Sequence, residues 1–304
     1  MVEPLVSVVV PTYYRNGRLR ETLESVLDQA YDRVELIVVD DSGERHAEPV
    51  AEEFADALTY VAHSRNRGAH AARDAGLEHA SGRYVQFLDD DDRLRPRKVA
   101  AQVDLLERAP DVGVAYCGLE MEDGTVHLPD PSVRGDVLRD ALGFYDHPLT
   151  TSTMLIDRAV LEEVLPLARD SPGADDINLC IRLAQVTAFD FVDEVLVVGG
   201  LPARSRGRSW GGVRGRREIL RRYRDLYDEF DPAVRRRALA EVYRQEGRRR
   251  LEDRVWSARA ILAFLRSLHY EPDRSPVHVG ECLASLLGRP GRTLAAELLA
   301  AIRR

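Results

Sequence analysis

Four short, mostly apolar runs in the first 90 residues constrain the fold of this chain more than any other feature. Stretches with apolar residues at helical spacing separate the runs. The order is therefore β-α-β-α-β-α-β, which predicts an α/β fold with a mostly parallel sheet and helices on both faces. The four predicted strands are Val6–Val10, Glu35–Val39, Leu58–Ala62 and Tyr84–Leu88.

The pattern changes near residue 200. Gly199–Gly215 is rich in Gly, Arg and Ser, which is typical of a loop. Beyond it the chain shows helical spacing throughout, beginning with an amphipathic stripe over Ile219–Phe230. We predict an α/β domain over residues 1–200, a loop or linker over 201–215 and an α-helical C-terminal region over 216–304.

Charge is unevenly distributed along the chain. Residues 201–250 contain 16 Arg and 7 acidic residues, whereas the whole chain has a net charge of −8. This asymmetry indicates an anionic partner such as a pyrophosphate, a lipid phosphate or a membrane surface. The alternative is an Arg-rich helix face paired with its own acids. Peripheral membrane contact through 201–250 stays open, and a nucleic acid partner is not expected.

Nothing in the sequence indicates export or membrane spanning. No apolar run approaches the roughly 18 residues of a transmembrane helix, and the N-terminus has no basic segment of the kind that begins a signal peptide. The three cysteines match neither disulfide nor zinc spacing. We expect a cytoplasmic protein, and peripheral attachment to the cytoplasmic face of the membrane stays open.

Four adjacent carboxylates, Asp89–Asp92, follow the fourth predicted strand. Like charges this close repel one another, and a hard divalent cation offsets that repulsion. Mg²⁺ and Mn²⁺ take oxygen ligands and often bind through one or two carboxylates plus substrate phosphates. Ligands of open α/β sheets lie beyond the carboxyl ends of the strands, where this cluster falls. The alternative is a solvated acidic turn before the next helix.

Further polar and aromatic residues follow the other strands, so all of them should line one edge of the sheet. Tyr13 and Asp40 could stack on and hydrogen-bond a base, and Arg73 could face a pyrophosphate that a metal bridges to Asp91. The chain has neither G-x-G-x-x-G after the first strand nor a Walker A motif, which argues against dinucleotide and P-loop sites. The residues are Pro11, Thr12, Tyr13, Asp40, Asp41, Asn66 and Arg73.

At these residues the chain resembles the family 2 glycosyltransferases, which have the GT-A fold, a Rossmann-like α/β architecture. The resemblance covers Val6 to about Val198. It rests on VSVVVPTYYRN, ELIVVDDSG, NRGAHAARDAGLEHASGRYVQFLDDDD and GADDINLCIRLA. It implies an inverting, metal-dependent transfer of a sugar from a nucleoside diphosphate (UDP, GDP or dTDP) to an acceptor hydroxyl.

The resemblance also implies roles for single residues. Asp89 and Asp91 form the D-x-D motif; Asp91 is the expected metal ligand, Asp89 lies nearer the ribose, and Asp92 is a candidate second ligand. The donor nucleotide-sugar site comprises Pro11, Thr12, Tyr13, Asp40, Asp41, Asn66, Arg73, Asp89 and Asp90. Thr12 and Tyr13 meet the nucleoside, Asp40 with Asp41 holds the base, and Arg73 touches the diphosphate.

A second acidic pair, Asp175-Asp176, precedes an amphipathic helix. By the resemblance, Asp176 takes the place of the catalytic Asp, and Asp175 stands where the family usually has Glu. A positioned carboxylate that accepts the acceptor proton contributes about 10²–10⁴-fold to the rate. The alternative is an N-cap with an acidic residue in the first turn. Asp74 replaces an Asn common in the family.

The sequence thus predicts a family 2 glycosyltransferase with Mn²⁺ or Mg²⁺ as cofactor. It would act in the synthesis of a cell-surface glycan, a polysaccharide or a lipid-linked oligosaccharide. Two alternatives remain open. One is a non-catalytic GT-A-like protein that binds nucleotide or glycan. The other is a sugar-1-phosphate nucleotidyltransferase, although Pro11-Thr12-Tyr13 lacks the Gly-rich phosphate loop that such an enzyme needs.

Overall fold

A computed structural model describes residues 3–145, 148–167, 173–200, 209–271 and 276–293. The chain forms two compact units. The described residues of the first lie within Met1–Ala141, Tyr145–Arg169 and Asp176–Pro202, and those of the second within Leu142–Phe144, Asp170–Asp175 and Ala203–Arg304. Within the described ranges no helix is both long enough and apolar enough to cross a membrane.

The predicted alternation of strands and helices is present, followed by helices. The strands are β1 (Val6–Thr12), β2 (Val34–Asp40), β3 (Leu58–Ala62), β4 (Tyr84–Phe87), β5 (Arg93–Leu94), β6 (Val112–Met121), β7 (Val126–His127), β8 (Leu155–Asp157) and β9 (Ala188–Gly199). The helices are α1 (Asn16–Leu27), α2 (Glu48–Glu52), α3 (Ala69–His79), α4 (Lys98–Arg108), α5 (Leu138–Leu142), α6 (Arg158–Glu163), α7 (Asp175–Ala184), α8 (Trp210–Arg222), α9 (Arg224–Tyr227), α10 (Pro232–Asp253), α11 (Ala258–Tyr270) and α12 (Pro276–Ser285).

The strands form one sheet in the order β3-β2-β1-β4-β8-β6-β9-β5, with β7 paired to β6. β1 runs parallel to β2 and β4, and β2 runs parallel to β3, so these four strands end at the same edge of the sheet. We call it the carboxyl edge. Thr12 pairs with Asp40 in the β1–β2 register. The predicted α/β fold is confirmed.

Close packing of α3 on the sheet explains the small residues of that helix. A Cβ on Gly76 would lie 2.3 Å from Cγ1 of Val9 and 3.1 Å from Cγ2 of Val39, so only glycine lets the helix approach β1 and β2 this closely. Both valines are fully buried. This contact sets the distance between α3 and the sheet.

The second unit is helical, and its charges are largely paired internally. Glu246 accepts hydrogen bonds from Arg217 at 2.5 Å and Arg250 at 2.6 Å, and Arg248 bonds Glu281 at 2.7 Å. Among the described residues of 201–250, these pairs match the Arg-rich helix face paired with its own acids. α8 begins at Trp210, inside the segment predicted as loop; residues 201–208 lie outside the described residues.

Candidate functional site

Asp90 joins the acidic cluster (Asp89–Asp92) to the end of β1. Its Oδ2 accepts hydrogen bonds from the Thr12 hydroxyl at 2.8 Å and the Tyr13 amide at 3.3 Å, and Arg15 Nη1 lies 3.2 Å from its Oδ1. Burial raises the pKa of Asp90 to about 6, although Arg15 and Thr12 act in the opposite direction. With both oxygens in use, Asp90 organises the turn after β1.

Asp91 points to more open surroundings, and its side chain is 24% exposed. Arg15 Nη1 lies 2.6 Å from Asp91 Oδ2. Burial raises the pKa of Asp91, and the Arg15 cation opposes that rise. Gly200 lies against the same carboxylate, because a Cβ there would be 3.0 Å from Asp91 Cγ. The expected metal ligand is thus bounded by a guanidinium and by the chain after β9.

Asp89 is held by groups that lie deeper in the first unit. Its Oδ1 accepts a hydrogen bond from Arg73 Nη2 at 2.7 Å, and its amide donates to Ser152 Oγ at 3.2 Å. Arg73 also donates to Thr151 Oγ1 at 3.1 Å and is only 1% exposed. The structure therefore places Arg73, expected to face a diphosphate, in contact with Asp89. Its contact with a diphosphate stays a prediction.

Asp92 links the acidic cluster to the far end of the sheet. Its Oδ1 accepts a hydrogen bond from the Gly200 amide at 2.9 Å, and its carbonyl accepts one from the Thr22 hydroxyl at 2.8 Å. Burial raises the pKa of Asp92, and the charge of Asp89 adds to that rise. β5, which starts directly after Asp92, pairs antiparallel with β9, and Arg93 lies opposite Val198. This pairing also joins the acidic cluster to β9.

Asp40, expected to hold the base, is 1% exposed and bonded to its own loop. It accepts hydrogen bonds from the amides of Ser42 at 2.8 Å and Ala47 at 2.7 Å, and from the Tyr60 hydroxyl at 2.8 Å. Burial by itself raises its pKa, but these bonds outweigh burial and hold the pKa below its ordinary value. Asp40 shapes the loop after β2, and its contact with a base stays a prediction.

Asp41 fixes the approach to α3. It accepts hydrogen bonds from the amides of Arg67 at 2.8 Å and Gly68 at 2.7 Å, and its Oδ1 lies 2.7 Å from Nδ1 of His63. Gly68 has φ +89°, a conformation that favours glycine. Asn66 is exposed and accepts a bond from the same Gly68 amide at 3.0 Å.

An exposed aromatic surface follows β1. Tyr13 is 49% exposed, whereas Pro11 and Thr12 before it are buried. The Tyr13 and Tyr14 rings meet edge to face with centroids 4.7 Å apart, and His46 lies 4.7 Å beyond Tyr14. Rings presented in this way at the carboxyl edge can stack on a flat ligand such as a nucleobase.

Asp175 and Asp176 are the first two residues of α7, and both are half-buried. The helix then buries every residue from Ile177 to Ala184. Its polar residues Asn178 and Arg182 are enclosed as well, whereas the predicted amphipathic helix would expose them. It leads into β9 four residues after it ends. The catalytic role of the pair stays a prediction.

Comparison with known proteins places the chain in a family. Residues 7–165, more than half of the chain, match the model described as glycosyl transferase family 2. The chain belongs to glycosyl transferase family 2. The family predicted from the sequence is therefore confirmed, and with it the prediction of a glycosyltransferase.

Curated relatives agree with this assignment. An uncharacterized glycosyltransferase of Rickettsia prowazekii is 28% identical over 234 residues, which are 75% of this chain and 71% of that protein. The putative teichuronic acid biosynthesis glycosyltransferase TuaG of Bacillus subtilis is 33% identical over 165 residues, 51% of this chain and 63% of TuaG.

Solved structures share the fold of this family 2 glycosyltransferase. S. aureus TarS 1–349 in complex with UDP-GlcNAc has a TM-score of 0.62 at 16% identity, covering 98% of this chain and 92% of that one. Mannosyltransferase PcManGT from Pyrobaculum calidifontis, in complex with GDP-Man and Mn²⁺, has a TM-score of 0.60 at 23% identity, covering 99% and 86%. At these identities the likeness shows the fold.

Several site residues were not predicted from the sequence. Arg15 and Ser152 contact members of the acidic cluster, His63 contacts Asp41, and Thr151 accepts a hydrogen bond from Arg73. The run of hydroxyl residues at 150–153 was a usable signal, because such residues often satisfy buried polar groups. Arg15 and His63 stand in segments without periodic pattern, where a single sequence says little about side-chain contacts.

Divalent-cation chemistry fits the donor set at the carboxyl edge. Asp89 and Asp91 supply carboxylate oxygens that are 38% and 24% exposed, and the Arg15 guanidinium already places a positive charge against Asp91. In the described part of the chain, no three His, Cys, Asp or Glu residues converge on one point. Mg²⁺ and Mn²⁺ sites that also use substrate phosphates need only one or two carboxylates.

Proposed function

We propose that this chain catalyses an inverting, divalent-cation-dependent transfer of a sugar from a nucleoside diphosphate sugar to an acceptor hydroxyl. The observation that carries the proposal is the joining of three strand ends at the carboxyl edge. Hydrogen bonds link the ends of β1 and β4 through Thr12 and Asp90, and Thr12 pairs with Asp40 of β2. The two partly exposed carboxylates, Asp89 and Asp91, stand where these ends meet.

In the proposed donor site, Asp91 and Asp89 hold the cation, with Asp92 as a further ligand. Bound Mn²⁺ or Mg²⁺ would neutralise charge that develops on the departing diphosphate. Tyr13 offers an exposed ring for the nucleobase. Asp40 and Asp41 act through the loops that they fix, and Arg73 orients the Asp89 carboxylate.

The transfer step would be a single in-line displacement at the anomeric carbon. The acceptor oxygen forms a bond to that carbon, the bond to the diphosphate oxygen breaks, and the nucleoside diphosphate leaves with the electron pair. Asp176 takes the proton of the acceptor hydroxyl, and Asp175 beside it contacts the acceptor. In this displacement the base and the departing diphosphate lie on opposite faces of the sugar. This arrangement accounts for two separate acidic pairs, Asp89 with Asp91 and Asp175 with Asp176.

Topology supports the placement of Asp176. β9 runs parallel to β6, which is antiparallel to β8, which in turn is antiparallel to β4. β9 therefore starts at the edge opposite to the carboxyl edge. α7 ends just before that start and is 10 residues long, so a return along the sheet by about 15 Å would bring Asp176 toward the carboxyl edge.

Relatives suggest the kind of substrate. The TarS structure is a complex with UDP-GlcNAc, the PcManGT structure is a complex with GDP-Man and Mn²⁺, and TuaG is named for teichuronic acid biosynthesis. We therefore propose a UDP-, GDP- or dTDP-linked donor and a glycan or lipid-linked acceptor at the cell surface or in polysaccharide synthesis. The proposed location is the cytoplasm, with peripheral contact to the cytoplasmic face of the membrane through residues 201–250.

The test is thermal unfolding with UDP, GDP, CDP and dTDP, each with and without Mn²⁺. A ligand at 100 times its Kd adds about 2.7 kcal/mol of stability, which corresponds to roughly 5–10 °C for a domain of this size. We expect one nucleotide to stabilise the protein only when Mn²⁺ is present. In Asp91→Asn this Mn²⁺-dependent stabilisation should be lost. Donor turnover should then give a product of inverted anomeric configuration by NMR. Stabilisation without turnover would favour a non-catalytic protein.

Gly200 offers a second test of the cation site. A Cβ at residue 200 would lie 3.0 Å from Asp91 Oδ2 and 3.1 Å from Asp91 O. We expect Gly200→Ala to push the carboxylate aside and weaken Mn²⁺ binding by roughly tenfold, at the lower end of outer-shell effects. Gly199→Ala is the matched control, because its Cβ would meet the side-chain ends of Leu119 and Met121. Equal affinity of both variants by calorimetry would contradict the assignment of Asp91.

A further inference from the structure

Arg15 contacts two members of the acidic cluster, Asp90 and Asp91, whose surroundings differ. Its Nη1 lies 2.6 Å from Asp91 Oδ2 and 3.2 Å from Asp90 Oδ1. The two partners differ, because Asp90 is buried and also held by Thr12, whereas Asp91 is partly exposed. Arg15 stands at the position that caps the N-terminus of α1, and its side chain is 36% exposed. One guanidinium nitrogen of Arg15 thus contacts a buried carboxylate and a partly exposed one at the same time.

We propose that Arg15 exchanges between Asp91 and the donor diphosphate, and that this exchange couples cation binding to nucleotide binding. The inference rests on the proposed function. The Arg15 guanidinium and a divalent cation use the same Asp91 oxygen, so each weakens the binding of the other there. When the cation takes Asp91, Arg15 keeps Asp90 and turns its remaining donors toward the anionic diphosphate that the cation brings.

The chemistry of arginine suits this exchange. A planar guanidinium presents five donors in a fixed geometry that matches both carboxylate and phosphate oxygens. The charge of the buried Asp90, 3.2 Å from Arg15 Nη1, keeps the guanidinium beside the acidic cluster when it leaves Asp91. While Arg15 pairs with Asp91, the carboxylate neutralises the charge of the guanidinium. After its release from Asp91, the Arg15 cation can attract the diphosphate. Cation and diphosphate therefore bind with positive coupling, to which Arg15 contributes.

Arg18 provides a matched comparison on the same helix. Its guanidinium bonds both carboxylate oxygens of Glu122, one of them at 3.0 Å, rather than Asp90 or Asp91. Its side chain is 40% exposed, close to the 36% of Arg15. Removal of the Arg18 charge lowers the net charge of the protein by the same amount but does not free Asp91. The pair of variants separates competition at Asp91 from a general electrostatic effect.

The experiment measures Mn²⁺ alone by calorimetry and EPR, then UDP and GDP at saturating Mn²⁺, for the full chain. For Arg15→Gln we expect Mn²⁺ affinity to rise about 3- to 10-fold and nucleoside diphosphate affinity to fall by a similar factor. Opposite signs distinguish exchange from loss of structure, which would weaken both. Arg15→Lys, which keeps the charge, should return Mn²⁺ affinity toward that of the native protein. Arg18→Gln removes a charge that acts on Asp91 without contacting it, so it should change both titrations by less than Arg15→Gln does.

Three outcomes would overturn the proposal. Mn²⁺ affinity that does not rise in Arg15→Gln would exclude competition at Asp91. A rise in Mn²⁺ affinity with unchanged UDP and GDP affinity would exclude transfer of the guanidinium to the diphosphate. Native protein that binds no Mn²⁺, or binds it equally well as Asp91→Asn, would remove the cation site itself and thus the proposed function together with this inference.

Discussion

Asp176→Asn should reduce the turnover number by about 10²–10⁴-fold, the contribution of a positioned general base. The amide of Asn has nearly the shape of the carboxylate but cannot accept the acceptor proton. α7 buries its residues from Ile177 onward, so the helix should form as before. Donor binding should stay within about twofold of native because the donor is held by other residues. The measurement is release of nucleoside diphosphate with donor, Mn²⁺ and a panel of acceptor sugars.

The control for this variant is Asp193→Asn, the same chemical change at an exposed position on β9. It should leave turnover and nucleotide-dependent stabilisation unchanged. Asp175→Asn should fall between the two, because Asp175 contacts the acceptor in the proposed mechanism without taking its proton. Asp176→Asn that turned over at the native rate would falsify the assignment of Asp176 as the base.

Lys98→Met should stabilise the first unit by about 4 kcal/mol at pH 7. Lys98 is fully buried at the start of α4, and within the described part of the chain its Nζ has no hydrogen-bond partner. Burial lowers the pKa of Lys98 to about 7, and each pKa unit corresponds to about 1.4 kcal/mol. Met fills similar volume without a charge. For a unit of this size, that difference raises Tm by roughly 10 °C.

The pH dependence of this advantage follows from the two protonation states. Unfolded, Lys98 binds its proton up to a pKa of roughly 10.4; folded, it releases the proton near pH 7. Between these values the unfolded state holds more protons, so native stability rises with pH across this window. The advantage of Lys98→Met should therefore be largest at pH 7 and below, and shrink to about 1 kcal/mol near pH 9.5.

Arg108→Met is the control for the lysine variant. Arg108 lies on the same helix, is 76% exposed and pairs with Asp104 at 2.5 Å. Loss of an exposed pair of this kind costs about 0–1 kcal/mol. Chemical denaturation at several pH values compares the two variants directly. If Lys98→Met were no more stable than native at pH 7, the ammonium group would have to be satisfied within the core, and the low pKa would be wrong.

The frame of the site could be predicted from the sequence because it follows from strand pattern. Once β1, β2 and β4 are recognised as buried parallel strands, the residues after them must meet at one edge. Thr12, Asp40 and Asp89 were placed there on that basis, and the structure puts all three at the carboxyl edge. Continuous apolar runs indicate strands that are buried on both faces, as in a parallel sheet.

The contacts inside the frame could not be predicted in this way. Asp40 turns into its own loop, whose backbone takes positive φ at Gly43 and Arg45; no periodic pattern marks such a loop. Arg15 meets Asp91 across 76 residues of sequence, a distance fixed only by the assembled sheet. Lys98 is the first residue of α4, yet lysine is among the residues most rarely buried, so its burial had no sequence signal.

The bond between Asp92 and Gly200 spans 108 residues, and this has a consequence for synthesis of the protein. A chain that emerges from the ribosome can pair β1, β2 and β4 early, but the acidic cluster lacks its last partner until β9 and the residue after it have been made. Contacts this distant in sequence also close slowly, because loop entropy opposes them. The ability to bind a ligand at the carboxyl edge should thus be acquired late, and it reports that the whole first unit has folded.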